Sequence, residues 1–251
     1  MKEKLKRNSI VIWLYKNIFA RGKVGRQNDE NRENWVMNQL KKLSHGLTLL
    51  DAGAGELRYK KYCGHLKYIS QDFAQYDGSG DGSGLQMGSW DQSKIDIISD
   101  ITLIPLDNDS VDAILCVEVL EHIPEPVPAI KEFSRLLKSG GTLILTAPFN
   151  SLTHFAPYHF STGFNKYFYE KHLSENNIEI LEIKTNGNYF EYISQELRRV
   201  PEIAKKYSGK NLIFSRLLIK LLLILLGRLS RKDNGSDELL CYGYHILAKK
   251  K

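Results

Sequence analysis

The run Leu49-Leu50-Asp51-Ala52-Gly53-Ala54-Gly55 closes a hydrophobic stretch with a carboxylate and a Gly-x-Gly turn, after which Leu57 onward can start a helix. Glycines suit such a place because a side chain would block the close approach of backbone to a ligand at the carboxyl end of a strand. A tight strand-to-helix turn that holds no ligand would carry the same residues. Arg58 stands where a dinucleotide-binding fingerprint would set its third glycine, which argues against NAD and FAD. About 20 residues past the start of the turn, Tyr68-Ile69-Ser70-Gln71-Asp72 reads as a second strand ending in an acid, from which a carboxylate can accept both hydroxyl protons of a ribose. Asp72 alone would equally suit a solvated loop.

Such groups act together only if the chain sets them side by side. From Thr48 onward, short apolar runs at Leu49-Leu50, Tyr68-Ile69, Ile95 to Ile98, Ala113 to Val117 and Thr142 to Thr146 alternate with helical segments, the pattern of buried parallel strands in βαβ units. Ile178 to Ile183 and Leu239 to Ala248 each read as a further strand. Upstream, Leu14, Ile18, Trp35, Leu40 and Leu43 fall at helical spacings, interrupted by the polar stretch from Gly22 to Asn34. Glycine and serine dominate the segment from Gln75 to Trp90, which predicts a mobile loop insertion. The expected division is a helical lead-in over 1–45, a cofactor-binding core over 46–186, a helical insertion or substrate cover over 187–236, and a last core strand with a basic tail over 237–251.

At 251 residues the chain suits one sizeable α/β domain with an elaboration, since single cores stop growing at roughly 250 to 300 residues. Hydrophobic residues at 42% and charged residues at 25% exclude a disordered or fibrous chain. Much of the +6 net charge sits in Lys2, Lys4, Lys6 and Arg7 and in Lys249, Lys250 and Lys251. These clusters read as solvated tails, with attraction to nucleic acid or an anionic lipid surface as the alternative. Cys63, Cys116 and Cys241 form neither a zinc pair nor a disulfide framework, which fits a reducing cytosol. The apolar run Ile10 to Tyr15, cut by Lys16, is shorter than a signal-peptide core of roughly 7 to 15 residues, so no secretion signal is expected.

Three stretches, LLDAGAGELRY, SDITLIPLDNDSVDAILCVEVLEHI and RLLKSGGTLILTAPF, resemble in order and spacing the class I S-adenosylmethionine-dependent methyltransferases of the type 11 kind, over about residues 48 to 148. The resemblance implies an α/β fold: a seven-stranded Rossmann-like sheet with helices on both faces and an antiparallel last strand, for which Leu239 to Ala248 is the candidate, preceded by the helical insertion. It also implies S-adenosyl-L-methionine as cofactor. Asp51, Gly53, Ala54 and Gly55 would lie along its methionine part, and Asp72, followed by Phe73, at its ribose. Asp100 would bond the adenine amino group, Ile101 would pack on the ring, and Glu118 would sit in the turn beneath the sulfonium. Leu137 to Gly141 would be the turn into the fifth strand. Glu56-Leu57-Arg58 and the Gly/Ser loop depart from the family's pattern.

A sulfonium methyl needs mainly a nucleophile held in line, and positioning supplies roughly 7 to 11 kcal/mol. For a hydroxyl acceptor the usual proton acceptor is a histidine near neutrality. His122 after the fourth strand and His159 after the fifth, in a segment that also holds His154, are therefore the candidate catalytic residues. The alternative is that His122 caps a helix and His159 orders a lid loop. Glu118-x-x-Glu121-His122 also resembles the set with which certain quinone-biosynthesis and small-RNA 2'-O-methyltransferases bind a divalent metal. The same pattern occurs in methyltransferases without one, and no metal is expected.

Residues 212–232 are strongly apolar, with Arg216, Lys220 and Arg231 near one helical face and no run approaching the roughly 20 residues that span a bilayer. This helix either lies in a headgroup region, as a peripheral membrane contact suited to a lipid-linked acceptor, or packs on its own domain or in a homodimer. The expectation is a cytoplasmic enzyme, or one at the inner face of the membrane, that O-methylates a small-molecule or saccharide acceptor. A non-catalytic binding protein that keeps the fold is the first alternative. An RNA methyltransferase is the second, but no RNA-reading motif accompanies the basic tails and nucleic acid is not an expected partner.

Overall fold

Residues buried on both faces of a strand call for a parallel sheet covered on each side, and Leu49, Leu50, Ala113, Ile114 and Leu115 are completely buried. In the computed structural model, which describes residues 23–210 and 215–251, they lie in one seven-stranded sheet. Its strands are β1 (Thr48–Ala52), β2 (Lys67–Asp72), β3 (Ile97–Ile98), β4 (Val111–Val117), β5 (Leu137–Pro148), β6 (Ile178–Asn186) and β7 (Gly243–Lys250). The order is β3-β2-β1-β4-β5-β7-β6. β1 to β5 pair in parallel, and β7 runs antiparallel between β5 and β6. This is the seven-stranded α/β sheet with an antiparallel last strand that the sequence led us to expect. The order reverses between β1 and β4, so a crevice opens at the carboxyl ends of these strands, the usual ligand position in such sheets.

Helix α1 (Asn28–Lys42) buries Trp35, Val36 and Leu40 against Leu49, Ala113, Leu115 and Ile144. Helix α2 (Pro126–Leu136) carries proline in its first turn, where the missing N–H costs nothing, and buries Ala129, Ile130, Phe133 and Leu136. In α3 (Lys166–Glu175) the Asn165 side chain caps the start by accepting the Phe168 N–H. Residues 30–186 and 242–251 form one compact unit that holds the sheet. The described residues of 187–241, together with residues 23–29, form a second, in which α4 (Tyr189–Ser208) packs against α5 (Ser215–Ser230). Among the described residues no helix is long and apolar enough to cross a membrane.

Several boundaries differ from the sequence reading: the third strand is only Ile97–Ile98, the fourth begins at Val111 and the sixth runs on to Asn186. Helix α1 begins at Asn28, inside the supposed polar interruption, because the first turns of a partly exposed helix need no apolar residue. The stretch 137–141 is part of β5: Val111 pairs with Leu137 but Ala113 pairs with Thr142, so the residues between are looped out as a bulge. β7 starts at Gly243, and Leu239 is exposed beyond a short turn at Ser236–Glu238. Of the helix read over 212–232, the described part runs from Ser215 and ends at Ser230, two residues early. Residues 1–22 and 211–214, with Leu14, Ile18 and the N-terminal basic cluster, lie outside the described residues.

Candidate active site

At the end of β1, Gly53 and Gly55 take φ +78° and +51°, a left-handed conformation that glycine adopts without strain. A Cβ on Gly53 would stand 2.5 Å from the Val119 side chain, and one on Gly55 would stand 2.7 Å from the Trp90 ring. The turn is pinned to β2: the Gly53 and Ala54 N–H groups donate to the Gln71 carbonyl at 2.8 and 2.9 Å, and the Gly55 N–H donates to Asp72 Oδ2 at 3.0 Å. Asp72 Oδ1 accepts from the Ala74 N–H at 2.9 Å and from Gln92 Nε2 at 3.0 Å. Of roughly four lone-pair positions on a carboxylate, three are thus used, and a diol would compete with Gln92 for its second bond. Asp51 is buried beside them and accepts from the Tyr68 hydroxyl at 2.5 Å. Burial, with the Asp72 charge adding to it, pushes its carboxyl up to about 7.

The remaining residues expected at a cofactor are spread along the same strand ends. Phe73 meets Tyr158 edge-on at 4.9 Å. Asp100 is exposed and holds a local turn by accepting from the Thr102 N–H and hydroxyl, while Ile101 beside it is buried. Glu118 directly follows β4 at φ +55°, an unfavourable region for a residue with a side chain. It is held there from three sides: its N–H donates to the Thr146 carbonyl, its Oε1 accepts from the Thr146 hydroxyl at 2.9 Å, and its Oε2 pairs with Arg32 at 2.9 Å.

The Gly/Ser segment is not a loop standing clear of the fold. Asp81 N–H donates to the Ala156 carbonyl, Leu85 N–H to the Thr153 carbonyl, and Phe155 N–H to the Leu85 carbonyl. A Cβ on Gly80 would fall 1.9 Å from the Ala156 carbonyl oxygen, so this contact requires glycine. Tyr76 stacks on Phe155 at 4.6 Å, and Phe155 stacks on His122 at 4.9 Å. The two segments together set His154 at 4.6 Å and His159 at 5.9 Å from His122, ring centre to ring centre.

His122 Nδ1 lies 2.5 Å from the Tyr158 carbonyl. A carbonyl only accepts, so Nδ1 carries the proton and the Nε2 lone pair faces inward. Burial and the neighbouring His154 push this ring down to about 3, which leaves it neutral and a weak base. His154 Nδ1 likewise lies 2.8 Å from the Leu152 carbonyl. His159 Nε2 is 3.2 Å from Ser151 Oγ, and partial burial lowers its pKa. Glu121 is fully buried, and neither its carboxyl oxygens nor His122 Nε2 find a hydrogen-bond partner among the described residues. Its Oε1 is 3.7 Å from His122 Nε2, and burial favours the protonated acid and the neutral imidazole over an ion pair. One ligand atom each from Glu121, His122 and His154 fall within 4.8 Å of one another. Glu118 is turned instead to Arg32 and Thr146.

Burial, with Glu118 nearby, holds Glu121 well above the usual carboxylate range. The native carboxyl keeps its proton where the unfolded chain has released it, so its contribution to stability is complete at low pH and is lost as pH rises. Glu121→Gln cannot ionise and is expected to gain on the wild type by up to ~1.4 kcal/mol per pH unit above the ordinary carboxylate range. In EDTA the difference in Tm should widen as pH rises above the ordinary carboxylate range. A difference that does not change with pH would show Glu121 to be solvated in the native state.

Arg32, Trp90, Gln92 and the Tyr158 carbonyl escaped the sequence reading. Arg32 lies 86 positions from Glu118, and no local spacing announces such a pair. Trp90 closes a segment dominated by glycine and serine, and its aromatic character was the available signal.

Residues 50–145 match the family described as a methyltransferase domain. The ubiquinone biosynthesis O-methyltransferase of Xanthomonas campestris pv. campestris is 51% identical over 37 residues, which is 15% of this chain and only 16% of that protein's length. Among solved structures, a (4+2)-cyclase superposes with a TM-score of 0.53 at 16% identity, covering 90% of this chain and 83% of its own. The geranyl diphosphate C-methyltransferase of Streptomyces coelicolor A3(2) superposes with a TM-score of 0.50 at 16% identity, covering 89% and 79%. At such identity these two structures establish the shared fold.

Proposed function

We propose that this chain, which carries a class I S-adenosylmethionine-dependent methyltransferase domain in residues 50–145, binds S-adenosylmethionine at the carboxyl ends of β1, β2 and β4 and methylates a hydroxyl of a small molecule or glycan. The strand-end residues suit the cofactor. Two glycines at positive φ leave no room for a Cβ, and the buried carboxylates of Asp51 and Asp72 lie directly behind the turn. When bound, the cofactor supplies a methyl group already activated on a positively charged sulfur.

What the chain itself must do is hold the acceptor and receive its proton. The observation that carries the hydroxyl reading is the group of three imidazoles, linked to the glycine turn through Phe155 and Trp90. His159 is less buried than His122 and takes the proton, while His122, fixed by the Tyr158 carbonyl, accepts a hydrogen bond that orients the hydroxyl. The local likeness to a ubiquinone biosynthesis O-methyltransferase supports an oxygen acceptor. The C-methyltransferase and the cyclase are a reminder that this fold hosts other reactions, so the acceptor must be argued from the site. The test is release of S-adenosylhomocysteine, followed by mass spectrometry, when the protein and S-adenosylmethionine meet fractionated cell extract. Release that depends on a hydroxyl-bearing fraction supports the proposal. Release only with amine or thiol acceptors overturns the hydroxyl assignment.

A metal-assisted form of the same reaction is favoured by one specific feature. Two imidazoles whose Nδ1 atoms donate to backbone carbonyls and a buried carboxyl without partners resemble a ligand set with its outer supports in place. Glu121, His122 and His154 would hold a divalent ion, which would make an acceptor hydroxyl more acidic. On this reading EDTA-treated protein gains several degrees in Tm with manganese or zinc, and Glu121→Gln abolishes the gain. An unchanged Tm removes the metal.

A further inference from the structure

One face of α5 packs inward through Leu223 and Gly227, and the opposite face is left in solvent. At 100° per residue, Leu217, Leu218, Leu221, Leu222, Leu225 and Leu229 share an arc of roughly 140°. They are 39% to 64% exposed. Scattered exposed leucines need no explanation, but six on one face of one helix mark an interaction surface. The charge pattern says of what kind. From Ile203 to Lys232 the sequence carries lysine or arginine at 205, 206, 210, 216, 220, 228, 231 and 232, and no aspartate or glutamate. Arg216, Lys220 and Arg228 are exposed; at 100° per residue Arg228 falls within the leucine arc beside Leu217, and Lys220 lies about 60° beyond that edge. A protein partner would need matching carboxylates at several fixed points along this helix. A negatively charged headgroup layer over an apolar interior matches both features without such a pattern.

We propose that the leucine face of α5 docks this protein on an anionic lipid bilayer, with the helix lying in the plane of the headgroups and its leucines entering the acyl boundary. Its 16 residues span ~24 Å, short of the ~30 Å hydrocarbon core, and its exposed leucines all lie on the outward arc, so the helix lies on the bilayer and does not cross it. This surface lies outside the methyltransferase match, and the proposal does not rest on the acceptor chemistry.

The test is flotation of the full chain with vesicles of equal parts phosphatidylglycerol and phosphatidylcholine, against vesicles of phosphatidylcholine alone. Expected is retention on the anionic vesicles, reduced about tenfold on the neutral ones and weakened by high salt. The triple variant L217Q/L221Q/L225Q should lose flotation while keeping its Tm, because these side chains face solvent and glutamine supports a helix. Arg216→Gln with Arg228→Gln gives a second, independent loss, and S-adenosylhomocysteine binding should be unchanged in both variants. Absence of flotation overturns the proposal, as does equal flotation of the triple variant, which would assign binding to charge elsewhere in the chain. A wild-type dimer that the leucine substitutions convert to monomer without any flotation would identify the occupant as a second copy.

Discussion

Alanine at Asp72 is expected to weaken S-adenosylmethionine binding by about a hundredfold or more in calorimetric titration. The carboxylate has two tasks. It would receive the ribose hydroxyls, and it already receives the Gly55 and Ala74 N–H groups and the Gln92 amide. A hydrogen bond to a charged group contributes about 1.5 to 3 kcal/mol, and a buried donor left without its acceptor costs about 1 to 3 kcal/mol. Loss of ribose contacts and loosening of the turn therefore act together. Asp72→Asn keeps an acceptor oxygen but not the charge, and should fall between wild type and alanine in affinity while nearly preserving Tm. Should both variants bind like wild type, the ribose would not lie on β2.

Alanine at His159 is expected to lower kcat by about 100-fold to 10,000-fold, the span typical of losing a positioned proton acceptor. Both His159 and His122 are candidates by position, and the electrostatics separate them. Burial drives His122 down to about 3, so it gains little by accepting a proton near neutrality. His159 is less buried and shifted in the same direction for the same reason. Its lowered pKa keeps it neutral and able to receive a proton at neutral pH. The wild-type rate should therefore fall on the acid side as His159 protonates, and His159→Ala should lose that limb. His122→Ala should act mainly on KM, through loss of orientation. A reversed pattern, with the acid limb lost only in His122→Ala, would exchange their roles.

The glycine turn at the end of β1 was the most legible part of this molecule. Asp51, Gly53, Gly55 and Asp72 announce themselves because the turn is local: its left-handed φ values and pinning bonds all fall within about twenty residues of sequence. The sheet was legible for a related reason, since buried parallel strands must be continuous apolar runs. Long-range effects were not. The Gly/Ser segment reads as a mobile loop by composition, yet its glycines let it lie against residues 153–156, a contact made across about seventy positions. Glu118 was read as a cofactor contact, and only the folded chain shows that Arg32 and Thr146 hold it in a strained conformation. The start of β7 was misplaced because Leu239, apolar in the sequence, is solvent-exposed, and hydrophobicity alone cannot tell a strand residue from an exposed leucine.

The central claim is that the glycine turn and the carboxylates behind it form a site for S-adenosylmethionine. Equilibrium dialysis of the purified chain against labelled S-adenosylmethionine tests it most directly. One equivalent bound per chain, displaced by S-adenosylhomocysteine and not by NAD, is the predicted result. No bound label at millimolar ligand, from protein that still unfolds cooperatively, would contradict it.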